Sequence, residues 1–263
     1  MSHTENFYHR LVVWLLFVIL ALPLIATLLY ALATEWSNTL LPRGYTLSWF
    51  LALWSDSRFL TALGHSLLIC TGALLLSLVL VLPAMFVIAY FYPRLDSIMN
   101  VLILMPFAVP PVVSSVGLLQ LYSSTPFALT GTPWILIGCY FTIALPFIYR
   151  AIANNMQAIN LKELMDAAHL LGASSWRAAL LVVLPNLRKG VLIATLLSFS
   201  FLIGEFVFAN LLVGNRYETL QVYLYNMRSG SGHFTSALVI SYFLVVLLVT
   251  WLAGVLNPER GSR

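Results

Sequence analysis

Six apolar runs, each about the length of a membrane crossing, constrain this chain more than any other feature. They fall at about 11–33, 66–92, 99–122, 134–153, 190–213 and 234–255. A bilayer core of about 30 Å takes about 20 helical residues to cross. Lipid offers no partner to an unpaired backbone N–H or C=O, so runs of this length are expected to be spanning helices.

Composition agrees. Of 263 residues, 61% are hydrophobic and 8% are charged, too few charges to solvate an ordinary globular surface. The net charge of +4 is no nucleic-acid footprint, because the 13 Lys and Arg stand singly between apolar runs. The expected environment is a lipid bilayer, with no nucleic-acid partner. The first run exceeds a signal-peptide core and has no small-residue cleavage site after it, so it counts as a span. The fold class expected is all-α, a polytopic integral membrane protein with six transmembrane helices. One domain over 1–263 is expected to hold a first span at about 11–33, core spans within about 66–255 and a cytoplasmic elbow at about 154–188.

Positive loops are retained on the cytoplasmic side, and an even number of spans places both termini together. With the termini inside, Arg10, Arg94, Arg150, Lys162, Arg177, Arg188, Lys189, Arg260 and Arg263 are cytoplasmic. Arg43, Arg58, Arg216 and Arg228 are then outside, nine against four. Pro83, Pro106, Pro110, Pro111 and Pro146 lie within spans, where each removes a backbone donor and bends its helix. They read either as prolines that membrane helices tolerate or as hinges. Cys70 and Cys139 lack a CxxC pattern or a His neighbour at ligand spacing and read as packing residues.

The link between the fourth and fifth runs is long and patterned. Leu161, Leu164, Met165, Ala168 and Leu171 recur at helical spacing, with Lys162, Glu163, Asp166 and His169 largely elsewhere on the wheel. Gly172 can take positive φ and close this helix, and Ser174 or Ser175 can cap the next. The second helix is expected over 176–184, interrupted by Pro185 and Asn186 before the chain re-enters the membrane. The apolar stripe of this elbow faces away from the bilayer and is expected to seat in a groove of another protein.

The same segment resembles the EAA signature of binding-protein-dependent ABC importer permeases: an acidic residue, two alanines, three residues, glycine, nine residues, an aliphatic residue, any residue, then Leu-Pro. Here it stands as Asp166, Ala167, Ala168, Gly172, Val182, Leu184 and Pro185 with every spacing kept. Asp replaces the commoner Glu. The resemblance extends to the whole chain and implies the type I ABC importer permease fold, with the elbow as the coupling helix that docks into an ATP-binding subunit. It implies as partners the ATP-binding ABC subunits, a second permease subunit, homologous or identical, and a periplasmic substrate-binding protein. Within that reading Asp166, with Glu163 beside it, is either a polar anchor for the ATPase or part of a solvated face. A weaker likeness is to permeases of the polyamine branch, including those of 2-aminoethylphosphonate uptake. It rests on Glu35-Trp36-Ser37-Asn38, the run from Leu41 to Leu47, Glu218-Thr219-Leu220-Gln221-Val222 and the acidic residue of the fifth run.

No G-x-x-x-x-G-K-[ST] loop is present, so ATP binding is expected on another polypeptide. No H-E-x-x-H pair or G-x-S-x-G elbow is present either, and neither enzyme activity, metal nor cofactor is expected. Glu205 is the one carboxylate well inside a run, a costly position that points to a bundle interior or a wet cavity. It reads as a counter-ion for a cationic substrate, or as a structural or gating residue. Ser115 and Asn210, with Ser114 and Ser198, are candidates to line the same path. The rival reading is an ion-coupled secondary transporter or channel without an ATPase, for which inverted repeats or broken helices are the usual signs. No repeat links the two halves.

Overall fold

The computed structural model describes residues 3–37 and 39–256. Asn38, Arg260 and Arg263, used above, lie outside the described residues. The architecture is all-α, and the single β contact among the described residues is an isolated bridge between Ala33 and Tyr45. Among the described residues, four helices are long and apolar enough to cross a membrane alone: Tyr8–Leu32, Ser57–Phe91, Pro133–Ala158 and Gly232–Leu252. The number rises to six if each of two sharply bent helix pairs is one span.

Contacts divide the chain into two compact units, Met1–Leu60 with Tyr223–Val249, and Thr61–Val222 with Thr250–Arg263. In the first, α1 (His3–Leu32) is apolar and exposed on every side from Leu11 to Leu20, as befits a helix surrounded by lipid. The link after it folds back on the helix end, with Thr46 N–H donating to Leu32 O at 2.7 Å and Thr34 N–H to Gly44 O at 3.0 Å. The helix α2 (Ser48–Trp54) follows, and Trp49 Nε1 donates to Ala33 O at 3.0 Å. His233 stacks on Tyr30 with ring centroids 4.2 Å apart and bonds Tyr30 O through Nδ1 at 2.8 Å. The neighbouring Gly232 makes room, since a Cβ there would lie 3.0 Å from the Tyr30 ring.

The helix α3 (Ser57–Phe91), which belongs to the second unit from Thr61 on, is 35 residues, about 52 Å at helical rise, longer than a bilayer core is thick. The third run is not one straight helix: α4 (Pro93–Ala108) and α5 (Pro111–Tyr122) meet at 88° across Val109 and Pro110. Two successive prolines supply no N–H to the preceding turn and hold Val109 extended, which breaks the helix outright. The main packing is α6 (Pro133–Ala158) against the helix of the fifth run, Arg188–Leu202. Ile148, Ile152, Ala194 and Leu202 are fully buried there. Gly190 sets the approach, because a Cβ at this position would lie 2.5 Å from Asn155 Cβ. Tyr149 ties α6 to α4 by donating its hydroxyl to Asp96.

Gly190→Val is therefore expected to separate α6 from the fifth-run helix, at an overpacking cost of about 1–3 kcal/mol. Thermal unfolding of the purified chain in detergent checks this: the midpoint should fall for Gly190→Val and hold for Gly64→Ala, where an added Cβ meets nothing within 4 Å.

Candidate functional site

The elbow begins at Asn160, held in the left-handed region at φ 49°, which turns the chain out of α6. The helix α7 (Leu161–Leu170) ends in a Schellman closure. Gly172 N–H donates to His169 O at 2.9 Å and Ala173 N–H to Ala168 O at 3.0 Å, with Gly172 at φ +85°. No atom lies within 4 Å of a Cβ built on Gly172, so its backbone conformation, not space, calls for glycine. The helix α8 (Ser175–Asn186) returns the chain, and His169 fastens the corner with Nε2 3.2 Å from Ser175 Oγ and Nδ1 3.4 Å from the Tyr90 hydroxyl.

Three expectations about the elbow are corrected. Pro185 does not interrupt the second helix, which runs on to Asn186, and the 64° bend falls at Leu187 before α9 (Arg188–Leu202). Proline has no N–H for the preceding turn, and the chain absorbs this in a π-turn over Ala179–Val183, where the Asn186 amide also donates to Val182 O at 2.8 Å. Nor is the apolar stripe as a whole free for another protein; of its members only Leu171 is bare. Leu161, Met165 and Ala168 are buried against the chain's own return helix, and Leu164 is half-buried. The outward surface consists instead of Lys162, Glu163, Asp166, Ala167 and two bare leucines, Leu170 and Leu171, 89% and 90% exposed. Asp166 and Glu163 make no hydrogen bond or ion pair among the described residues. Of the remaining signature positions, Val182 is half-buried while Leu184 and Pro185 are exposed. Neither Ser174 nor Ser175 caps α8 through its side chain; the Ser175 hydroxyl faces His169.

Beyond α9 the fifth run breaks. Ile203–Phe206 leave the helix, and a short helical stretch resumes at 207–213. Glu205 sits in this gap and caps the resumed turn: Oε1 accepts from Phe208 N–H at 2.9 Å and Oε2 from Ala209 N–H at 3.2 Å. Tyr140 donates its hydroxyl to the Glu205 main-chain oxygen at 3.3 Å. A cavity of about 900 Å³ lies between α5, α6 and this gap, lined chiefly by apolar and aromatic side chains, among them Phe107, Trp134 and Phe201. Ser114, Thr142 and Glu205 supply polar groups, and no Lys or Arg is among the lining residues.

The candidate path residues are thus placed differently from one another. Glu205 lines the cavity. Ser115 is fully buried and returns its hydroxyl to Pro111 O at 2.8 Å, while its neighbour Ser114 faces the cavity. Asn210 is half-buried in the resumed turn and is not among the lining residues. Ser198 is buried away from the cavity. Neither the gap nor Tyr140 is signalled in the sequence beyond Gly204 beside an acidic residue. No group of three or more His, Cys, Asp or Glu that could hold a metal occurs among the described residues.

Residues 81–261 match the model of the family described as the binding-protein-dependent transport system inner membrane component. A Salmonella typhimurium protein named as permease protein PhnV of a 2-aminoethylphosphonate transport system is 26% identical over 233 residues, covering 89% of this chain and 86% of that one. The Escherichia coli spermidine/putrescine transport system permease protein PotC is 26% identical over 189 residues, covering 70% and 69%. Among solved structures, a bacterial ABC transporter involved in import of the acidic polysaccharide alginate aligns with a TM-score of 0.73 over 96% of this chain and 97% of that one, at 13% identity. At that identity the likeness speaks for the fold, which is that of the type I importer permeases. The chain belongs to the binding-protein-dependent transport system inner membrane component family: it is a multi-pass permease subunit of an ABC importer and not itself an enzyme.

Proposed function

We propose that this permease passes a small solute across the inner membrane by alternating access, driven by separate ATP-binding subunits that grip the elbow at 161–185. The observation that carries this reading is the closed corner at Gly172, which holds Leu170 and Leu171 out in water beside Asp166 and Ala167. Two adjacent leucines that exposed are costly to leave hydrated and suit an apolar groove of a partner. Asp166, without an internal partner, is available to a cation or backbone donors of the same partner. Closure of the ATPase dimer would press two such elbows together and rock the spans, one set from this chain and one from a second permease subunit, homologous or identical. A periplasmic binding protein would deliver the solute, and both termini would lie in the cytoplasm. Broken helices, here in the third and fifth runs, are also found in ion-coupled transporters. The family and the elbow favour ATP.

The relatives' names point to polyamines or 2-aminoethylphosphonate as solute classes. A cavity wall with one carboxylate, aromatic faces and no basic side chain suits an amine better than a phosphonate dianion. Both oxygens of Glu205 already accept backbone N–H groups, however, which favours a structural cap over a dedicated counter-ion.

Gly172→Val is expected to abolish uptake of labelled solute by cells while the amount of inserted protein is unchanged, because valine does not tolerate φ +85°. Gly172→Asn should retain part of the activity; normal uptake by the valine variant would sink the assignment of the elbow. Glu205→Ala should speed hydrogen exchange at the Phe208 and Ala209 amides and cost about 0.5–2 kcal/mol, as losing a helix cap does. Glu205→Gln keeps an acceptor and should preserve most uptake. If the glutamine variant is as stable as native but transports nothing, the carboxylate acts on the solute instead.

A further inference from the structure

The return helix α8 carries a feature that ATPase docking at the corner leaves unused. Beneath it, between α8 and the end of α3, lies a cavity of about 260 Å³ whose every lining side chain is apolar, including Leu82, Phe86, Trp176, Val183 and Leu187. Along the same helix Trp176, Leu180, Leu181 and Leu184 are exposed, Leu181 at 74%. Three cations bracket this surface in sequence: Arg177 directly follows Trp176, and Arg188 and Lys189 directly follow Leu187. All three are exposed, and none makes an ion pair among the described residues. No acidic residue occurs anywhere between Asp166 and Glu205 to neutralise them.

An apolar face of Trp and Leu flanked by basic residues is the pattern of a helix lying in a membrane interface. The 64° bend at Leu187 turns α8 away from the direction of the span that follows, as such a position requires. Unpaired cations that directly follow the lining residues Trp176 and Leu187 in the chain complement a phosphate joined to an acyl chain. We propose that this groove holds an anionic phospholipid of the cytoplasmic leaflet, its chain along Leu82, Phe86, Val183 and Leu187 and its phosphate against Arg177, Arg188 and Lys189. The site rests on the orientation proposed above, and it would couple the elbow's return helix to the membrane surface. A lipid wedged between α8 and α3 steadies the base of the elbow from the side opposite the ATPase.

The test is lipid retention by the full-length permease alone, so its outcome does not depend on transport or on the ATPase. Native mass spectrometry of the purified chain with equal phosphatidylglycerol and phosphatidylcholine should show phosphatidylglycerol retained preferentially. Arg177→Gln, Arg188→Gln and Lys189→Gln should each weaken that retention about fivefold, the equivalent of one surface charge. Arg177→Lys with Arg188→Lys keeps the charges and should behave as native, which separates charge loss from misfolding. Equal retention of the two lipids by the native chain, or undiminished phosphatidylglycerol in the triple glutamine variant, overturns the proposal. A photo-crosslinking residue at position 180, which lines the groove, that captured a polypeptide in the assembled transporter, not a lipid, would overturn it too.

Discussion

A backbone amide or carbonyl in hydrocarbon can bond only to the protein itself, and this structure is organised around the places where its helices fail to satisfy that demand. At Val109 and Pro110 the third run turns through 88°, and the helix that resumes pairs the prolines' own carbonyls: Ser114 N–H bonds Pro110 O and the Ser115 hydroxyl bonds Pro111 O. At 203–206 the fifth run opens, and Glu205 returns both carboxylate oxygens to the amides of Phe208 and Ala209. The two breaks border the same cavity. These two interruptions lie where backbone lines a space, whereas the close contact between Gly190 and Asn155 joins unbroken helices.

The elbow divides its two faces by the same economy of contacts. Leu161, Met165 and Ala168 lock α7 to α8, and His169 with Ser175 closes the corner, so the first helix is braced by its own chain before any partner arrives. A braced element can transmit a push, whereas a loosely attached helix would absorb it. The surface left for a partner is small and chemically plain: two leucines, an alanine, a lysine and two carboxylates without a partner among the described residues.

Much of this was legible in the residues. Hydropathy located the spans because lipid leaves few alternatives to a twenty-residue helix, and Gly172 marked the corner because few other residues adopt φ +85° at low cost. The signature spacing from Asp166 to Pro185 pointed to the family that residues 81–261 match. Periodicity, however, reports that a face is apolar and not what covers it. It therefore grouped Leu171 with Met165, although one is bare and the other fully buried. The gap at 203–206 was hidden for a related reason: Ile203 and Phe206 keep the average hydropathy high through a segment that is not helical. Pro185 was read as a stop because a π-turn that accommodates it leaves no mark in composition.

The central proposal is that the outward face of the elbow, with Leu171, meets the ATP-binding subunit, and the buried part of the apolar stripe does not. Oxidative cross-linking in the assembled transporter tests it most directly, with Leu171→Cys and Ala168→Cys each paired with cysteines placed along the groove of the ATPase. The account predicts a cross-linked permease–ATPase species for position 171 and none for position 168, which is buried against α8. Cross-linking through 168 in preference to 171, or through neither, would contradict it.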